Sequence, residues 1–279
     1  MFETGLLKGK RILVTGGGSG LGAAMGRRFL ELGAELVICG RSLDRLEGAA
    51  AAMREQNGGK VTTLSCDIRD GAAVESMMDQ IWREAPLDVL VNNAAATFIA
   101  QTEHLSFRAA DAILGPTLHG AMYCTLAAGK RWIGTRHRGV VLSILSTSII
   151  TGRAFTVPSA MAKSALLAMT RSLAVEWGLK GIRTVAIAPG PFPTAGAAGQ
   201  LRPEGRGEGW ASRNPLGRTG EHGELADLAS FLVSDRAGYI NGEMVVIDGG
   251  AHLRSSGAED LLRWTDEQWA THRTARAKG

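Results

Sequence analysis

The chain has 279 residues, 45% of them hydrophobic, with 31 Lys and Arg against 27 Asp and Glu for a formal net charge of +4. That length and apolar content suffice for a buried core without disulfide or metal staples, and there is no apolar run of about 18 residues to span a membrane. Basic and acidic residues are interspersed, so the clustered positive footprint of a nucleic-acid binder is missing, while the small positive excess suits a phosphate-bearing cofactor or substrate.

In chain order, the opening stretch MFETGLLKGKRILVTGG lacks a signal-peptide pattern, which leads to the expectation of a cytoplasmic protein. RILVTG (11–16) reads as a strand, and GLGAAMGRRFLELG (20–33) as a helix closed by Gly33. AELVICG (34–40) is a second strand, followed by a helix over 42–56 opened by the capping residue Ser42. Further strands are expected at 60–67, 87–94, 139–145, 182–189 and 242–250, with helical periodicity filling most gaps between them. Several strands are continuous apolar runs, as required when helices cover both sheet faces. The alternation predicts an α/β fold: one Rossmann-type doubly wound parallel sheet in a single domain over 1–279. Residues 190–220 form a Gly-, Pro- and Arg-rich stretch read as a substrate loop, and 251–279 a tail with a short helix anchored by Trp264 and Trp269. Cys39, Cys66 and Cys124 are expected as buried apolar residues, and no metal cluster is apparent.

TGGGSGLG (15–22) follows the first strand and opens a helix. Gly16, Gly18, Gly20 and Gly22 let the backbone approach a pyrophosphate, while the amides at Ser19 and Leu21 open the helix and donate to it. Arg41, just past the second strand, suits the 2′-phosphate of NADP, where an acid would repel it; Ser42 adds a hydroxyl. Asp67 ends the third strand, with Ile68 beside it, placed to accept from adenine or else to cap the next helix, a task for which Asp70 is better placed. Asn93, Ala94 and Ala95 close the fourth strand with small residues that admit a ribose.

Together these segments, with the serine strand SILS, a lysine helix, PGPFPT and the ending INGEMVVIDGG, resemble the short-chain dehydrogenase/reductase family over about residues 8–250. The resemblance implies an NAD(P) cofactor, a tetramer or dimer, and a catalytic set of Asn, Ser, Tyr and Lys. Ser146 falls at the family serine and Lys163 at the lysine, implied to bind the nicotinamide ribose; Pro189, Gly190 and Thr194 fall where the family holds the carboxamide end. The tyrosine position, four residues before the lysine, is Ser159, and the asparagine position is His119. Of the two tyrosines, Tyr239 precedes the last strand, and Tyr123, one turn after His119, is read first as a packing residue and second as a substitute acid.

Within that family, VPSAMAKSALLAMTRSLAVEWG, APGPF and DEQW are similar to the 2,4-dienoyl-CoA reductases, in which a serine also occupies the tyrosine position. The mitochondrial type carries a Tyr and an Asn as donors to the thioester oxygen; here those positions are Ser148 and His119. A serine hydroxyl is too weak an acid for reduction of a plain ketone. A conjugated enoyl thioester needs only hydrogen-bond donors at its oxygen. The expectation is therefore an NADPH-dependent reductase of an unsaturated acyl-CoA, with Lys163, Ser159, Ser146, Ser148 and His119 around the reacting centre. Arg202, Arg206, Arg213 and Arg218 in the loop are candidates for CoA phosphates. Two other readings stay open: a carbonyl or hydroxyl oxidoreductase with an atypical acid, and an NADP-binding protein with little catalysis.

Overall fold

The computed structural model describes residues 3–194, 209–254, 261 and 264–276. Seven parallel strands form one sheet: β1 (Arg11–Thr15), β2 (Glu35–Gly40), β3 (Val61–Ser65), β4 (Val89–Asn92), β5 (Gly139–Ile144), β6 (Ile182–Pro189) and β7 (Met244–Ile247), in the order β3-β2-β1-β4-β5-β6-β7. The register aligns Val14 with Ile38 on one side and Val91 on the other. Strands β1 and β4 are buried along their whole length, which explains their uninterrupted apolar sequences.

Helices α1 (Gly20–Glu31), α2 (Leu43–Asn57), α3 (Gly71–Glu84), α4 (Phe107–Leu114), α5 (Gly120–Thr135), the single turn α6 (Ser148–Thr151), α7 (Val157–Trp177), the short α8 (Gly209–Arg213), α9 (His222–Val233) and α10 (Asp266–Arg276) connect or follow the strands. One face of the sheet packs Ile12, Val14, Ile38 and Leu142 against Met25, Phe29, Leu46 and Leu225 from α1, α2 and α9. The other packs Leu13, Val37, Leu90 and Val141 against Met77, Met78, Cys124 and Trp132 from α3 and α5. Each such side chain contributes about 1.5–3 kcal/mol by leaving water. All three cysteines are buried and unpaired, as expected.

Strand ends are shorter than the apolar runs suggest. β4 stops at Asn92 because Asn93 turns back: its amide donates to Thr15 O (2.9 Å) and its backbone N–H to Thr15 Oγ1 (3.0 Å). Ser42 caps α2, accepting from Arg45 N (3.4 Å), and Asp70 caps α3, accepting from Ala72 N (2.8 Å) and Ala73 N (3.3 Å). In the tail, α10 carries Trp269 against Trp264 with ring centroids 4.9 Å apart. All strands run parallel, but the side on which successive strands are added reverses between β1 and β4, and ligands of such folds bind in the crevice beyond the strand ends at that switch point.

Candidate active site

Two adjoining cavities open there. One, of about 630 Å³, is lined by Gly16, Gly18, Ser19, Arg41, Ser42, Asp67, Ile68 and Asn93 to Ala96, all but the last expected from the sequence. The second, of about 480 Å³, shares Asn93, Ala95 and Ala96 with it and adds Gly20, Leu21, Ser146, Ser148, Ser159, Lys163, Pro189, Gly190 and Thr194.

The glycine loop is shaped by close approach. Gly16 sits at φ 67° and Gly20 at φ 54°, a region costly for side-chain-bearing residues. A Cβ on Gly22 would lie 2.5 Å from both Gly16 O and Asn93 Nδ2. Thr15 Oγ1 also receives Ala94 N (3.1 Å) and donates to Val91 O (3.2 Å), tying the loop to β4. The exposed N-cap Ser19 makes no side-chain capping bond, and the first turn of α1 holds no acid, so no side chain competes with an anion for the positive end of the helix. A dinucleotide fits this cradle: Gly16 to Gly22 would hold its pyrophosphate, and Arg41 with Arg45 would face the adenosine ribose.

Asp67 lines this cavity, but Arg69 occupies both its oxygens, Nε lying 2.9 and 3.0 Å from them. These bonds hold the carboxyl below its ordinary value against the opposing effect of burial. The sequence offered no sign of this two-residue pair. Cys39, Cys66, Arg45 and Arg69 also line the cavity and were not foreseen.

In the second cavity Lys163 is buried, and its ammonium donates to Ile144 O at 2.5 Å. Desolvation pulls its pKa down to about 8. At pH 7 it is mostly charged and keeps donors beyond the one given to Ile144. Ser148 Oγ donates to Ser146 Oγ (3.1 Å), which also accepts Ser148 N (3.3 Å). The Ser159 hydroxyl has no hydrogen-bond partner among the described residues. Lys163 and Ser159 lie one turn apart on α7, which brings both to the cavity. The described lining contains no Tyr, His, Cys, Asp or Glu.

His119 is not part of that lining, contrary to expectation. Pro116 lacks the N–H that a regular helical turn needs, and Gly115–His119 forms a π turn before α5. Within it, the buried Thr117 reaches the loop after β4, accepting from Ala96 N (3.0 Å) and donating to Ala96 O (3.3 Å). His119 faces solvent, stacked on Tyr123 with centroids 6.3 Å apart. Tyr239 is fully exposed. In the expected substrate loop, Arg218 pairs with Glu224 (2.8 and 2.6 Å) and Arg213 ends α8; Arg202 and Arg206 lie outside the described residues. Thr97, Thr147, Thr151, Arg153 and Thr156 line the cavity unforeseen.

Comparison with known proteins agrees with this architecture. A family model described as enoyl-(acyl carrier protein) reductase matches residues 16–252. A Bacillus subtilis protein named "Probable 2,4-dienoyl-CoA reductase", (2E)-enoyl-CoA-producing, is 39% identical over 247 residues, covering 88% of this chain and 97% of its own. The crystal structure of a short-chain dehydrogenase from Bacillus anthracis superposes with a TM-score of 0.81 at 39% identity, covering 89% of this chain and 99% of that one. A "putative NAD(P) dependent gluconate 5-dehydrogenase" from Beutenbergia cavernae, with NADP bound at low occupancy, has a TM-score of 0.84 at 29% identity, covering 91% and 100%. The chain belongs to the short-chain dehydrogenase/reductase family and is an oxidoreductase of the NAD(P)-binding kind.

Proposed function

We propose that the protein is an NADPH-dependent reductase of unsaturated acyl-CoA thioesters, 2,4-dienoyl-CoA above all. The observation that carries this reading is a cavity with Lys163, Ser146, Ser148 and Ser159 in place and no phenol, imidazole or carboxyl group in its described lining. Such a site has donors for an anionic oxygen but no phenol, and its one ammonium, on Lys163, is engaged by Ile144 O. NADPH, when bound, supplies a hydride to the carbon remote from the thioester, and the electron pair displaced through the conjugated system collects on the thioester oxygen. Ser159 and Ser146 donate hydrogen bonds to that oxygen, lowering the energy of the developing charge, and Ser148 supports Ser146 by donating to its Oγ. Lys163 binds the cofactor ribose and adds its positive charge to the same region. The electron pair then returns from that oxygen to the carbon chain and takes a proton from water, forming the second C–H bond and leaving hydroxide, so no side chain needs to be an acid.

Arg41 supports NADPH over NADH, since a guanidinium beyond β2 meets a 2′-phosphate where the fold's usual acid would repel it. Self-association is supported by apolar side chains left in solvent: Met122 and Leu126 on α5, Met161 and Val175 on α7, besides the half-buried edge strand β7. No helix among the described residues is long and apolar enough to cross a membrane. The test of the activity is NADPH absorbance in the presence of 2,4-hexadienoyl-CoA. Turnover that requires Lys163 is expected; NADPH binding without turnover overturns the proposal.

A further inference from the structure

Arg153 takes no part in the chemistry just described, yet it lines the same cavity as Lys163 and Ser159. The two are the only charged side chains in the described lining, and no carboxylate accompanies them. Lys163 is buried at the inner end, whereas Arg153 is exposed at the rim. The Arg153 guanidinium makes no hydrogen bond or ion pair among the described residues; other arginines at the surface do, such as Arg69 with Asp67 and Arg218 with Glu224. Crowding at the cavity wall lowers its pKa by desolvation alone, with no anion to offset it.

The segment that carries it is held in a costly shape. Gly152 lies at φ 68° and Phe155 at φ 65°, the latter a left-handed conformation that a side-chain-bearing residue rarely adopts. Two bonds maintain it: Ala100 N donates to Phe155 O (3.0 Å) and Thr156 Oγ1 to Arg153 O (3.3 Å). The backbone is thereby tied to the loop after β4 while the guanidinium stays unpaired at the entrance.

We propose that Arg153 is an anion-recognition residue whose guanidinium binds a phosphate of the substrate's coenzyme A moiety, selecting charged carrier thioesters over uncharged ones. The proposal rests on the acyl-thioester reading of the cavity. A planar guanidinium matches phosphate oxygens bidentately, and a rim position suits a group distant from the reacting carbon. A carboxylate on the acyl chain would offer the same chemistry, and the experiment separates the two sources.

Binding of free coenzyme A, which has no acyl chain, is measured by calorimetry on the NADP-loaded protein. Arg153→Gln is expected to weaken it about fivefold to tenfold and Arg153→Lys less, with NADP affinity unchanged as the folding control. In turnover, KM for 2,4-hexadienoyl-CoA rises by the same factor at constant kcat. KM for the N-acetylcysteamine thioester of the same acid, which lacks phosphate, does not change. Equal coenzyme A binding by wild type and Arg153→Gln overturns the inference, as does a wild type that binds none. An equal loss on both thioesters also overturns it, placing Arg153 at the reacting oxygen instead. A wild type that binds coenzyme A but reduces no dienoyl thioester sinks the reductase reading alone.

Discussion

Gly22→Ala tests whether the TGGGSGLG turn is a cradle that depends on close backbone approach. The added Cβ would lie 2.5 Å from Gly16 O and 2.5 Å from Asn93 Nδ2, and 3.1 Å from the Gly16 carbonyl carbon. That is about an ångström inside ordinary contact, and the first obstacle is backbone, which cannot rotate away. Accommodating it costs about 1–3 kcal/mol as overpacking. Displacing the Asn93 amide from Thr15 O costs about 1 kcal/mol more. A total of about 2–4 kcal/mol corresponds to a Tm decrease on the order of 3–7 °C in a chain of this size. Because the loop shifts where the pyrophosphate sits, NADPH Kd should rise at least about tenfold. Gly48→Ala is the matched control: Gly48 lies in α2 with nothing within 4 Å of its missing Cβ, so about 0.5–1 kcal/mol of stabilisation is expected. Cofactor fluorescence titration and thermal melting of both variants decide the matter. Gly22→Ala with the wild-type Tm and Kd would refute the cradle.

Arg41→Ala should raise the Kd for NADPH about tenfold while leaving NADH within about twofold, read by competitive titration. Lys163 should impose a basic limb: with its pKa at about 8, kcat/KM for the cofactor falls as pH rises through that value and the ammonium is lost. The same shift has a stability consequence. Unfolded Lys163 keeps its proton to about pH 10.5, so between 8 and 10.5 the unfolded state binds more protons, and the cost of burying the ammonium, present below pH 8, is relieved as pH rises. Lys163→Met is thus expected to melt no lower than wild type at pH 7 while kcat falls on the order of 10²–10³-fold. Ser159→Ala should reduce kcat about tenfold, and Ser146→Ala with Ser159→Ala about 10²–10³-fold, without a change in NADPH affinity. His119→Ala, by contrast, should leave kcat within about twofold, since its ring stands outside the cavity lining.

The parallel sheet was legible because continuous apolar segments such as VLV in β4 are suited to burial on both faces, and the glycine turn was legible because its spacing has a backbone cause. Lys163 and Ser159 were paired through the family resemblance, four residues apart, and α7 brings both to the cavity. Side-chain direction at irregular turns was not legible. Pro116 announces an interruption, but whether Thr117 or His119 then faces inward depends on the loop after β4, whose amide Thr117 meets. Asp67 illustrates the same limit: its position at the strand end was readable, its engagement by Arg69 was not, since both lie outside any repeating structure. Thr15 was hidden for another reason, its hydroxyl role resting on a partner strand 76 residues away.

The most direct measurement is the ratio of kcat/KM for 2,4-hexadienoyl-CoA to that for a 3-oxoacyl-CoA of equal chain length, with NADPH and pH held constant. A missing general acid should penalise the ketone about 10²–10⁴-fold and spare the diene. A ratio of at least ~100 in favour of the dienoyl thioester is the predicted result. A ketone reduced as fast as the diene, or faster, would contradict the account.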